Sequence, residues 1–97
     1  MRRVEIHPSA RAEIARAMRY YEAQREGIGI EFSQRLDEAV ERIRLHPELG
    51  APLSSRIRRR ALEVFPYGVI YTLPSDKIRI IAVAHSSRRP DYWRSRH

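Results

Sequence analysis

Residues 57–85 read IRRRALEVFPYGVIYTLPSDKIRIIAVAH, and this stretch decides the fold. It divides into three runs rich in β-branched and aromatic residues: Ile57 to Val64, Tyr67 to Leu73 and Lys77 to His85. Phe65-Pro66-Tyr67-Gly68 separates the first two, because proline brings no N–H to a ladder. Leu73-Pro74-Ser75-Asp76 separates the second from the third, with proline at the second position of a type I turn. Successive strands joined by tight turns form an antiparallel meander. Side chains alternate along a strand. Ile78, Ile80, Ala82 and Ala84 are therefore expected to face the core together. Arg79 and His85, with Lys77, Ile81 and Val83, are expected on the opposite, more open face.

Working back from this stretch, residues 51–56 read as a loop and Pro47-Glu48-Leu49-Gly50 as a turn that stops a helix. That helix places Phe32, Leu36, Ala39, Val40 and Ile43 on one stripe. Glu31 with Arg35 and Glu38 with Arg42 have the favourable i, i+4 order on its polar face. An earlier helix repeats the spacing at Ala10, Ile14, Ala17, Met18 and Tyr21. Ser9 or His7 is its expected cap and Pro8 suits its first turn, while Gly27 and Gly29 are expected to end it. Arg3 to His7 alternates with period two and reads as a short strand. The order is β-α-α-β-β-β, an α+β fold with a helical hairpin packed on one face of a small, mainly antiparallel sheet. At 97 residues one domain is expected.

Thirty-two per cent of residues are charged, yet the apolar ones fall in periodic stripes, which argues against disorder. There is no cysteine, so disulfides, thiolate metal sites and cysteine nucleophiles are excluded. No apolar run approaches the ~18 residues of a membrane span, and no export signal is read at Arg2-Arg3, so a cytoplasmic protein with no membrane contact is expected. The charge is unevenly placed. Residues 1–54 hold nine Arg and nine acids, whereas residues 55–97 hold ten Lys and Arg against three acids, so the whole net charge of +7 lies in the second half. A basic surface of this kind attracts polyanions or an acidic partner.

Several familiar chemistries are absent. Gly27-Ile28-Gly29 lacks the third glycine and preceding strand of a dinucleotide site. His7, His46, His85 and His97 have no metal-ligand spacing, so no metal and no cofactor are expected. The serines have no nucleophile elbow. What remains is an arginine surface with few groups able to move protons. Arg56, Arg58, Arg59, Arg60, Arg79, Arg88, Arg89 and Arg94 are the candidate binding residues, since guanidinium keeps its charge and grips phosphate or carboxylate. If RNA were cleaved by its own 2′-hydroxyl, His85 would serve as base or acid, Tyr92 as its partner or a stacking platform, and Arg60, Arg79 and Arg88 as the clamp. The plainer readings are a strand-end histidine bonded to the tail, Trp93 as an anchor of that tail, and Tyr67 and Tyr71 as core.

The ordered set Arg58-Arg59, Phe65-Pro66-Tyr67, Tyr71, Ile78-x-Ile80-Ile81-Ala82-Val83-x-His85 and Arg88-x-Pro90-x-Tyr92-Trp93 resembles the RelE/ParE toxin superfamily. Pro8-x-Ala10-x-x-Glu13-Ile14, Tyr20-Tyr21 and Pro47-Glu48-Leu49-Gly50 agree with it. The resemblance implies the toxin of a type II toxin–antitoxin module, of the kind called plasmid-stabilisation proteins, neutralised by a cognate antitoxin from an adjacent gene in a hetero-oligomer. One branch cuts messenger RNA on the ribosome, generally with several lysines; this chain has only Lys77, at a hairpin turn. The other branch poisons DNA gyrase, and the chain looks closer to that ParE side. Gyrase inhibition is the expected action. The alternatives are an endoribonuclease (mRNA interferase) using His85, Tyr92 and an arginine clamp, or a decayed, non-toxic arginine-rich binding module.

Overall fold

A computed structural model describes residues 2–89 and 91–96; Pro90 of the tail motif and His97 lie outside the described residues. Strand β1 (Arg3–Ile6) runs directly into helix α1 (Pro8–Gln24). Pro8 occupies the first turn, and His7 is the cap: its Nδ1 accepts from the Ser9 N–H at 3.0 Å. Helix α2 (Ile28–Leu45) follows a link of residues 25–27. Gly27 takes φ +93°, which glycine adopts without steric cost. Gly29 does not end α1 as expected but lies in the first turn of α2. A Cβ at Gly29 would sit 2.9 Å from the Met18 carbonyl oxygen, so its missing side chain lets the hairpin close. The exposed N–H groups at the start of α2 are served by the other helix. The Glu22 carboxylate of α1 accepts from Gly27 at 3.1 Å and Gly29 at 3.0 Å, which also places negative charge at the positive helix end. The expected Glu31–Arg35 and Glu38–Arg42 pairs do not form among the described residues. Arg42 instead reaches Glu63 at 2.9 Å, tying α2 to the sheet.

A 3-10 turn at Pro47–Leu49 leads into β2 (Ala51–Pro52), β3 (Ile57–Ala61), β4 (Tyr67–Thr72) and β5 (Lys77–His85). The sheet order is β1-β5-β4-β3-β2, with β1 parallel to β5 and the other neighbours antiparallel. The two-residue β2 lies within the segment expected to be loop, and β3 stops at Ala61 rather than Val64. The helices cover one face, where Phe32, Leu36, Ile43, Val69, Tyr71, Ile78, Ile80 and Val83 form the main core. The Tyr71 hydroxyl donates to the Pro47 carbonyl at 2.7 Å, fixing the exit from α2.

β5 departs from simple alternation. Tyr71 opposes Ile80 and Ile70 opposes Ala82, so Ile81 is an extra residue, a bulge. Ile78 and Ile80 face the helices as expected. Beyond Ile81 the pattern reverses: Val83 joins the helix-side core, while Ile81, Ala82 and Ala84 pack on the other face with Ile57, Ile70 and Trp93. His85 accordingly stands on the helix side beside Tyr67, with ring centroids 5.1 Å apart, and not on the face of Arg79. The second face is covered by the carboxyl-terminal tail, which Trp93 anchors at 4% exposure.

The tail is also bound to α1. Glu13 is only 6% exposed although it carries a carboxyl group. Its Oε1 accepts from the Val83 N–H at 2.9 Å; its Oε2 accepts from the Tyr92 hydroxyl at 2.6 Å and pairs with Arg96 at 3.1 Å. Arg96 also donates to the Ile81 carbonyl at 3.2 Å. β1 pairs with β5 only as far as Ile80, and beyond that point these contacts take up the Val83 N–H and the Ile81 carbonyl. Burial, together with the hydrogen bond and negative charge of Glu13, pushes the Tyr92 phenol up to about 12.

Two outcomes are expected. Gly29→Ala should destabilise the fold by about 2 kcal/mol, because the Met18 backbone must move; urea melts monitored by circular dichroism measure this. The second concerns alkali. Burial first of all raises the phenols of Tyr21, Tyr67, Tyr71 and Tyr92, so each favours the fold fully below the ordinary tyrosine value and loses that contribution as pH rises through its folded value. Urea midpoints should therefore fall between pH 10 and about 12. Tyr92→Phe should be less stable at pH 7, by about 1.5 kcal/mol for a hydrogen bond to a charged group, and should show a shallower alkaline decline.

Candidate functional site

The ten cations of the second half meet two different environments. Four have carboxylate partners. Lys77 and Arg79 share Glu5 at 3.2 and 3.4 Å, Arg94 pairs with Asp91 at 3.1 Å, and Arg96 pairs with Glu13. The hydrogen bond and charge of Lys77, reinforced by Arg79, hold the Glu5 carboxyl below its usual range. Two predicted binding residues, Arg79 and Arg94, are thus partly neutralised. Arg56, Arg58, Arg59, Arg60, Arg88 and Arg89 have no carboxylate partner among the described residues.

The run Arg58-Arg59-Arg60 does not form a single patch. Alternation along β3 sends Arg59 to the tail side with Ile57. Arg58 and Arg60 oppose Tyr71 and Val69, both members of the helix-side core. Arg58 donates to the carbonyls of Glu48 at 2.8 Å and Gly50 at 2.9 Å. It lines a hollow of roughly 490 Å³ with Arg56, Arg79 and Glu48, at the end of the sheet where β4 turns into β5. Arg59 reaches Ser86 at 3.3 Å, where the tail begins.

Arg59, Arg88, Arg89 and Tyr92 come together on the tail side, and His85, at the end of β5, borders both faces. A hollow of roughly 350 Å³ is lined by Arg59, His85, Ser86, Arg88, Arg89 and Tyr92, with Ile70, Ala84 and Trp93 as apolar walls. Its geometry follows from the bulge and from the turn after His85. The His85 Nδ1 accepts from the Ser87 N–H at 3.0 Å, which leaves the tautomeric proton on Nε2, and the Arg88 N–H donates to the His85 carbonyl at 2.9 Å. The guanidinium of Arg88 lies over the Tyr92 ring, 4.2 Å from its centroid, and Arg96 lies 5.0 Å from it. Of the five residues expected in a nuclease centre, His85, Tyr92 and Arg88 therefore share a hollow, while Arg60 and Arg79 stand outside it. The Tyr92 hydroxyl points its proton at Glu13. His85 also borders a groove against α1, with Tyr20, Tyr21, Tyr67, Arg16 and Arg88. Among the described residues, no group of three or more His, Asp and Glu side chains stands close enough to hold a metal ion. No helix of the described residues is long and apolar enough to cross a membrane.

Sequence reasoning gave no site role to Glu13, Ser86 or Arg96; Glu13 entered only within the Pro8-x-Ala10-x-x-Glu13-Ile14 motif of the family resemblance. Glu13 carried a usable signal: it lies three residues after Ala10 and four before Ala17, squarely on the buried stripe of α1, where an acid requires partners.

The chain matches the family model for the ParE toxin of the type II toxin–antitoxin system parDE over residues 4–90. No curated protein matches it. Among solved structures it is similar to a chain of the chromosomal ParDE toxin–antitoxin system from P. aeruginosa. The TM-score is 0.76 at 17% identity, covering 88% of this chain and 96% of that chain, so that likeness is one of fold. With the two-helix hairpin, the five-stranded sheet and the match over nearly all its length, the chain belongs to the ParE toxin family, the toxin component of a type II toxin–antitoxin module.

Proposed function

We propose that this toxin acts by binding rather than by cleavage, inhibiting DNA gyrase in the cytoplasm through the arginine-lined tail face, and that a cognate antitoxin from an adjacent gene neutralises it. One observation carries the reading. The Tyr92 hydroxyl is committed to a buried carboxylate and resists ionisation, so it is not free to act as the proton-transfer partner of His85, although Arg88 of the expected clamp lines the same hollow. What surrounds His85 instead is a rigid cationic surface with apolar walls, which suits a macromolecular contact. The six guanidiniums without carboxylate partners support an antitoxin segment carrying acidic residues, since charge complementarity speeds encounter and sets register. Antitoxin and toxin then form a hetero-oligomer, in keeping with the family.

Expressed without its antitoxin, the chain should arrest growth, and the purified protein should inhibit supercoiling by gyrase. Arg59→Glu combined with Arg89→Glu should raise the concentration needed for inhibition by about tenfold or more. His85→Ala should change it by less than about threefold, as for a contact at the margin of an interface. Messenger RNA cutting on the ribosome that His85→Ala abolishes, with supercoiling untouched, would put the endoribonuclease in place of the gyrase inhibitor. Unaffected growth, supercoiling and messenger RNA would leave the non-toxic binding module.

A further inference from the structure

We propose that Glu13 is a positioning residue of the toxin's target-binding surface: its buried carboxylate holds Tyr92 and Arg96, and so fixes the tail with Arg88 and Arg89 beside Arg59 and His85. The inference rests on the proposed binding role of that face and adds the element that shapes it. Glu13 lies in α1 and is too buried to touch a target itself. Among the described residues its hydrogen bonds and ion pair go to the far end of the chain: the Val83 N–H, the Tyr92 hydroxyl and the Arg96 guanidinium. An apolar residue on that helix stripe would fill the space without the desolvation penalty of a buried ion pair. The carboxylate instead supplies direction. With Oε2 held between Tyr92 and Arg96, the Tyr92 ring is fixed in place, and Arg88 packs on that ring. Trp93 pins the tail by packing alone, which sets its distance from the sheet but not the rotation of the residues before it. Glu13 constrains that rotation through Tyr92, and with it the direction in which Arg88 faces.

Glu13→Gln keeps the size and an acceptor for the Val83 N–H but removes the charge that holds Arg96. In full-length protein, amide hydrogen exchange over residues 87–96 should accelerate about tenfold or more, with α2, β3 and β4 unchanged within about twofold. The highest phenol transition, followed by absorbance, should move down from about 12. Growth arrest should require about tenfold more protein, and Glu13→Asp, which restores the charge, should recover part of it. A tail that exchanges as slowly as in the wild type overturns the inference, and so does a loosened tail with undiminished growth arrest. Should Glu13→Gln unfold the chain, Tyr92→Phe with Arg96→Gln severs the same contacts from the tail side, and the exchange and growth measurements decide in the same way. Growth arrest is read because it reports any target. Arrest that depends on Glu13 in a protein without effect on gyrase removes gyrase and keeps the role of Glu13. Gyrase inhibition that Glu13→Gln leaves intact removes the role of Glu13 and keeps gyrase. A wild-type chain that leaves growth untouched removes both.

Discussion

Where β5 passes β4, Ile81 has no partner, and the strand beyond it is turned over. Much of what stands at that end of the sheet follows from this one extra residue. Val83 drops into the helix-side core, Ala82 and Ala84 present small side chains to the opposite face, and Trp93 packs where larger ones would block it. His85 is delivered next to Tyr67 rather than next to Arg79. β1 also ends beside Ile80, and beyond it the Val83 N–H and the Ile81 carbonyl are taken up by Glu13 and Arg96. The bulge and the buried carboxylate are thus two halves of one arrangement: the strand bends, and α1 and the tail close over the edge it leaves.

The electrostatics obey the same geometry. The acids that neutralise the basic half come largely from the balanced half: Glu5 of β1 serves Lys77 and Arg79, and Glu13 of α1 serves Arg96. The cations left over are concentrated at the start of β3 and at the turn after β5. Two separate basic regions result, one around Arg56 and Arg58 and one around Arg59, Arg88 and Arg89. The second contains aromatic and apolar walls as well as charge, the composition of an interface core with a charged rim.

Much of this was legible in the residues. Period-3.6 stripes located both helices, Pro66 and Pro74 marked the turns of the meander, and Trp93 read as a tail anchor. The parts that were not legible share a cause, which is that local pattern does not encode long-range contact. Residues 80–84 are apolar without interruption because both faces of β5 are covered, so nothing in their order marks a change of register at Ile81. Gly29 looked like a helix stop because its actual role, letting Met18 approach, belongs to the other helix. Arg58, Arg59 and Arg60 were counted together as binding residues because three like charges in sequence conceal the alternation that separates them. Glu13 was a motif residue without a role, because its partners lie some seventy to eighty positions away. Family resemblance was legible where these local patterns failed, since the ordered set of turns and strand ends survives when individual contacts are hidden.

The parallel pairing of β1 with β5 has a consequence for synthesis. Arg3 meets Lys77 and Ile6 meets Ile80, so the first strand made is paired only by the last. Closing so long a stretch of chain comes late, after local elements have formed. On the ribosome, the helical hairpin can emerge and begin to coil while β1 still waits for an edge. The sheet is completed only once β5 has left the exit tunnel, and the arginine-bearing tail acquires its seat only once Arg96 has followed. Until then the nascent chain lacks the seated tail face on which the proposed binding role depends.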